Sequence, residues 1–231
     1  MEKRLAIIAN DRGVPGVKID IAKYKAFFRS SYGGGWSDSE ITTMLNVSRT
    51  RLRSKIAEYK LLDLDYLIVV FSGHGGQERE TILEINAQEE TILESELHDI
   101  AVRQLNIYDC CRCYSEVLTE SVKNRLETKL FSTINVRAKY EQRIMQAIPQ
   151  IVRLYACSVG EKAYDLGEGG IYSKHLLENA IQMQSQYKYV GDAHVEAKQQ
   201  TTEEEPKQHP DSVIPRCLTK QQLIIAINPY T

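Results

Sequence analysis

The stretch DYLIVVFSGHGG, residues 65–76, decides how the chain is organised. From Tyr66 to Phe71 it is continuously apolar and rich in β-branched and aromatic side chains, the pattern of a strand buried on both faces. A glycine-rich turn then cuts the run off, so whatever the turn carries is presented at the strand's end. It carries His74, set between Gly73 and Gly75.

On the amino side, Leu5–Ala9 reads as a first buried strand, and the turn NDRGVPG leads to IDIAKYKAFFRSSY, where Ile21, Tyr24 and Phe28 fall at helical spacing. A second pair follows: an apolar piece at Ile41–Leu45, then a helix that Ser48 can cap, with Leu52, Ile56 and Tyr59 on one side. On the carboxyl side, TILEINAQEETIL suggests a hairpin, ESELHDIA a short helix, and QLNIYDCC another buried strand. Alternating strands and helices argue for an α/β domain with a mostly parallel sheet covered on both faces.

From Tyr114 to Ile148 there is no glycine or proline, and Leu118, Val122, Leu126, Leu130 and Ile134 recur every four residues. This predicts a long amphipathic helix or helical pair inserted in the sheet, with Lys123, Arg125, Lys129, Arg137, Lys139 and Arg143 mostly off the stripe. QIVRLYACS resumes the sheet, GEKAYDLGEGG is a loop and YSKHLLENAIQMQ a helix. Residues 191–216 are polar and contain EAKQQTTEEEPKQHPDS, which predicts a mobile loop, and QQLIIAIN closes the chain as a strand suited to a sheet edge. The organisation expected is one domain over 1–231: a first part to residue 113, the helical linker at 114–149, and a second part at 150–231.

With 231 residues, 42% of them hydrophobic, the chain can bury a full core. A formal charge of −2 gives no basic field to draw in nucleic acid. No apolar stretch approaches a membrane span, and the apolar run after MEKR is too short for a secretory signal, so the expectation is a cytoplasmic protein with no membrane partner.

Three of the five cysteines, Cys110, Cys111 and Cys113, crowd into NIYDCCRCYSE at 106–116. Their number is odd and their spacing irregular, which is no disulfide framework. Paired zinc ligands are ordinarily separated by two to four residues, and adjacent strand residues point to opposite faces, so metal binding is a poor fit and Cys110 belongs to the core. In an α/β sheet, chemistry collects outside the carboxyl ends of the strands. If the SGHG and DCC strands are parallel neighbours, His74 and Cys111 share that rim as base and nucleophile, the imidazole raising the reactive thiolate fraction. The amides of Gly75 and Cys111 would supply a two-donor oxyanion hole.

An apolar strand ending in SGHG, followed by Asp-x-Cys on a later strand, resembles the caspase-like peptidases, and within them the metacaspases and their bacterial relatives. PGVKID at 15–20, YACSVGEKAYD at 155–165 and GGIYSKHLLENAI at 169–181 extend the likeness over most of the chain. The resemblance implies a three-layer caspase-like fold and a His74–Cys111 dyad acting as a cysteine endopeptidase on protein or peptide substrates. It needs no metal cofactor for the chemistry; calcium switches some metacaspases, and no all-oxygen calcium site is assignable. It places Asp109 as the S1 acid and the strand bearing Ser158 along S1. Arg12 stands near where caspases hold a P1 aspartate.

The chain departs from the metacaspase pattern at Arg112, Cys113 and Tyr114, where His-Ser-Gly is common, and at Val159, where an acid is common. A carboxylate at Asp109 favours Arg or Lys at P1, whereas Arg12 would favour an acid. The resemblance further implies a monomer that cuts its own basic linker and acts on a partner protein in a bacterial defence or cell-death pathway. The competing reading is an inactive caspase-fold interaction module. His98, His175, His194 and His209 read as surface or packing residues.

Overall fold

The computed structural model describes residues 1–114, 134–165 and 167–231. In chain order, strand β1 (Lys3–Ala9) leads into helix α1 (Val17–Arg29), and β2 (Ile41–Leu45) into α2 (Arg49–Leu61). The apolar run forms β3 (Leu64–Ser72). Next, β4 (Gly75–Gln77), β5 (Thr81–Glu84) and β6 (Thr91–Leu93) make a small antiparallel sheet, and β7 (Ala101–Asp109) returns to the main one. The remaining elements are α3 (Ile134–Gln146), β8 (Gln150–Tyr155), α4 (Ile171–Ile181), β9 (Tyr187–Tyr189), α5 (Val190–Glu204), β10 (Asp211–Val213) and β11 (Ile224–Ile227).

The main sheet runs β10-β8-β7-β3-β1-β2, with β2, β1, β3, β7 and β8 parallel and β10 antiparallel to β8. The strand read first therefore lies inside the sheet, and its alternate residues feed two cores. Ile68 and Val70 join Leu5, Ile7, Leu105 and Ile107 beneath α1, α3 and α4, while Leu67, Val69 and Phe71 join Ala6 and Ile8 beneath α2 and the small sheet. Each such side chain contributes roughly 1.5–3 kcal/mol by leaving water, which is why the run is apolar at every position and not at every second one. Ser48 caps α2 as expected, its side chain accepting from the Arg51 amide at 3.4 Å.

Register sets the functional rim. Ser72 at the end of β3 lies opposite Ala9 of β1 and Asp109 of β7, and the Gly73 amide donates to the Asp109 carbonyl at 3.2 Å. The SGHG and DCC segments thus leave the sheet side by side, although 37 positions separate His74 from Cys111.

Two expectations change. Where 191–216 reads as a loop, α5 and β10 stand: Val190, Ala193, Ala197 and Thr201 form a buried stripe of small side chains that packs close against α4. QQLIIAIN does form a strand, but β11 pairs with β9 in a separate two-stranded ribbon and is fully buried. Its unbroken apolar run suits that two-sided burial, and the three-residue β10 takes the sheet edge. Of the predicted helical insert, α3 is seen, and Leu118, Val122, Leu126 and Leu130 lie outside the described residues. Among the described residues no helix is long and apolar enough to cross a membrane.

Candidate active site

Beyond the carboxyl ends of β1, β3 and β7 lies a cleft of about 310 Å³. His74 and Cys111 both line it, with Gly13–Pro15 on one side and Lys162–Asp165 on the other. His74 Nε2 lies 2.7 Å from the Arg12 carbonyl. A carbonyl only accepts, so Nε2 carries the proton and Nδ1 is the basic nitrogen. Cys111 donates its thiol to the Ala163 carbonyl at 3.6 Å.

Burial pushes the Cys111 thiol above its ordinary range, partly opposed by the Ala163 contact and by the charge of Lys162. The sulfur is thus held against the main chain, in a setting where burial disfavours the thiolate. Its neighbours lie beyond the end of β7 and go elsewhere: Cys110 is buried in the core with Tyr108 and Tyr155, and Cys157 is fully buried. Cys113 is half-buried and donates to the Glu161 carbonyl at 3.2 Å.

The floor of the cleft is acidic. Asp109 is buried and accepts from the amide and hydroxyl of Ser173, at 3.2 and 2.5 Å, and that hydroxyl also meets Tyr24 Oη at 2.9 Å. Asp20, reaching in from α1, accepts from the Ser72 hydroxyl at 2.7 Å and the Gly170 amide at 3.0 Å. Asp165 accepts from the Gly167 amide at 2.7 Å through Oδ1, and its Oδ2 is buried without a hydrogen-bond partner. The backbone closes in on these acids through glycine: a side chain at Gly16 would collide with the Asp165 carboxylate, and one at Gly170 with Asp109.

Burial raises the proton affinity of Asp20 well above the carboxylate norm, and the charge of Asp109 adds to it. Asp109 itself is pushed up to about 6 by burial, against the pull of its Ser173 hydrogen bonds. Neither carboxylate has a Lys or Arg within 4.0 Å among the described residues.

Asp109 lines the cleft, and Asp20 and Asp165, which the sequence reading did not single out, line it too. A signal for Asp20 existed: it lies on the buried face of α1 with Val17, Tyr24, Phe27 and Phe28, an acid where the spacing demands an apolar residue. Two expectations fail. The Arg12 guanidinium turns away to Glu89 at 2.7 Å and Glu84 at 3.8 Å, leaving only its carbonyl to serve the cleft, against His74. Ser158 does not line the cleft; its hydroxyl donates to the His209 carbonyl at 2.8 Å. Val159, where an acid was missed, is exposed. Gly75 lies against Cys110 and Cys111, where any side chain would collide with the Cys110 sulfur and the Cys111 carbonyl.

Glu161 holds the loop that borders the cleft. Its carboxylate accepts from the His209 amide and Nδ1, both at 2.8 Å, and from the Ser158 amide at 3.3 Å, while its carbonyl accepts the Arg112 amide at 3.0 Å. Arg112 anchors the other side: its guanidinium is buried over the Tyr155 ring at 4.0 Å and donates to Thr81 Oγ1 at 3.2 Å and the Cys157 carbonyl at 3.3 Å.

A cysteine and a histidine at the ends of adjacent parallel strands, opening on one cleft, define a site suited to acyl transfer through a thiol. The family model described as Caspase domain matches residues 3–220, and the chain belongs to that family of cysteine peptidases, hydrolases of protein or peptide substrates. Among solved structures, the crystal structure of Caspase-1 from Spodoptera frugiperda is similar, with a TM-score of 0.63 and 13% identity over 97% of this chain and 89% of that one. That likeness speaks for the fold alone. No curated protein matches the sequence.

Proposed function

We propose that the protein is a cysteine endopeptidase in which Cys111 is the nucleophile, His74 the acid and base, and Asp20, Asp109 and Asp165 receive an Arg or Lys side chain at P1. One observation carries the reading: three carboxylates line the same cleft as His74 and Cys111, and among the described residues none has a Lys or Arg within 4.0 Å. An arginine would bring the missing positive charge and several donors in a planar fork, which Asp165 Oδ2 and its neighbours can accept.

In the proposed cycle the scissile carbonyl enters beside Cys111 and the thiol leaves Ala163. His74 Nδ1 takes the thiol proton as sulfur bonds to the carbonyl carbon. Developing negative charge on the oxygen faces the amides of Gly75 and Cys111. The imidazolium then returns the proton to the departing amine, leaving an acyl-thioester that water hydrolyses with His74 as base. The Arg12 carbonyl fixes the ring and its tautomer throughout.

From the family resemblance we also infer that the basic linker is cut by the enzyme itself, and that its target is a partner protein in a bacterial defence or cell-death pathway. Wild type should be nicked in the linker and Cys111→Ala intact; equal nicking in both would exclude self-cutting. For the dyad, the test is hydrolysis of an arginyl fluorogenic peptide by wild type, Cys111→Ala and His74→Ala. Removal of either group should lower kcat by about a thousandfold or more, and a Cys111→Ala enzyme with wild-type turnover would end the proposal.

A further inference from the structure

Among the described residues Lys162 is the one Lys or Arg lining the cleft, and no carboxylate lies within 4.0 Å of it. The cations nearby are already engaged: Arg12 pairs with Glu89, Lys18 with Asp11 at 2.8 Å, and Lys23 donates to the Glu168 carbonyl. On its own loop Glu161 is engaged with His209 and Ser158, while Asp165 binds the Gly167 amide through Oδ1 and keeps Oδ2 for the cleft.

The loop that carries Lys162 is fastened on both sides. Glu161 is held as described, the Ala163 carbonyl meets the Cys111 thiol, and the Tyr164 amide donates to Gln208 Oε1 at 3.0 Å. Lys162 therefore lines the cleft from the loop that touches the nucleophile, and its positive charge favours the Cys111 thiolate against the cost of burial.

We propose that Lys162 makes the cleft a reader of paired charges, selecting peptides in which an acidic side chain lies within two residues of the basic one entering the carboxylate pocket. The inference rests on the basic-P1 reading and extends it. Before substrate binds, the three carboxylates and Lys162 offset one another at longer range. A basic P1 side chain neutralises the floor and leaves the Lys162 charge uncompensated in a partly desolvated cleft. An acidic neighbour in the peptide restores the balance, whereas a second basic residue is repelled. Partly exposed pairs of this kind are worth about a two- to fivefold change in kcat/KM.

The test uses fluorogenic peptides with Arg at P1 and Asp, Ala or Lys at P3, P2, P1′ and P2′ in turn, with wild type, Lys162→Glu and Lys162→Arg. At one of these positions wild type should favour Asp over Ala by about two- to fivefold and disfavour Lys. Lys162→Glu should invert that order, Lys162→Arg should keep it, and salt should weaken it. Ratios within one enzyme are compared, so a general loss of activity in a variant does not blur the result. No acidic preference in wild type at any of the four positions, or the same preference in Lys162→Glu, overturns the proposal. If wild type cuts after another P1 residue, the carboxylate-pocket reading fails, and the same ratios measured on that P1 still decide the role of Lys162.

Discussion

Asp20 of α1 and Asp109 of β7 bring two buried carboxylates to one floor, and the charge of Asp109 makes Asp20 harder to ionise. Both are held by hydroxyl and amide donors, so each is positioned even with its charge uncompensated. A fold that keeps such a pair gives up stability near neutral pH.

The stability cost is measurable. The folded-state affinity of Asp109 for a proton is raised to about 6, so its contribution is present below the ordinary carboxylate range and lost as pH rises through about 6. Asp109→Asn removes the buried charge without changing shape, and should raise Tm by about 2–4 °C at pH 7.5. The gain should shrink at pH 5, where the aspartate is already protonated. A lower Tm for the variant at pH 7.5 would contradict this account of the floor.

Substrate binding should feel the same protonation. A protonated Asp109 attracts a basic side chain less, so KM for an arginyl peptide should rise as pH falls below about 6, by about tenfold at pH 5. A peptide with an uncharged P1, compared in the same buffers, should show no such rise. Parallel profiles for the two peptides would remove Asp109 from P1 recognition.

The half-buried Cys111 sulfur lies against the Ala163 carbonyl, and burial raises its proton affinity. Iodoacetamide should therefore alkylate it in the free enzyme with a rate that climbs through the alkaline range, at a midpoint above that of an ordinary thiol. A plateau already reached at pH 6, read by mass spectrometry of the Cys111 peptide, would show a preformed thiolate instead.

Glu161 positions the cleft's border without touching its floor. Glu161→Ala removes acceptors from the His209 and Ser158 amides and should cost about 1–3 kcal/mol of stability. With the loop loosened, kcat/KM should fall by about tenfold or more, since small misplacements near the reacting atoms are costly. Glu161→Gln, which keeps acceptors for the two amides, should recover most of both losses.

Much of this was legible because burial and chemistry leave different marks on a sequence. The run from Tyr66 to Phe71 reads as a strand covered on both sides, and a histidine framed by glycines at its end stands out from that apolar pattern. The expected separation of Cys110 into the core holds although β7 ends at Asp109, one residue before it, and Cys111 remains half-buried at the cleft. Asp20 went unread because IDIAKYKAFF was scored for its apolar spacing, while the acid on that stripe was the informative residue. Asp165 lay in a glycine-rich loop, where no periodicity says which way a side chain points. α5 was missed because its contact face is built from Ala193, Ala197 and Thr201, whose small side chains pack closely yet leave a polar composition. Arg12 could not be placed from sequence at all, since its direction depends on Glu84 and Glu89 across the strands.

The most direct measurement is a fluorogenic peptide library varied at P1, run with wild type and Cys111→Ala. Cleavage after Arg and Lys alone, absent in Cys111→Ala, is the predicted result. Cleavage after Asp, or equal cleavage by the cysteine variant, would contradict the assignment of Asp20, Asp109 and Asp165 as the P1 floor beside a Cys111 nucleophile.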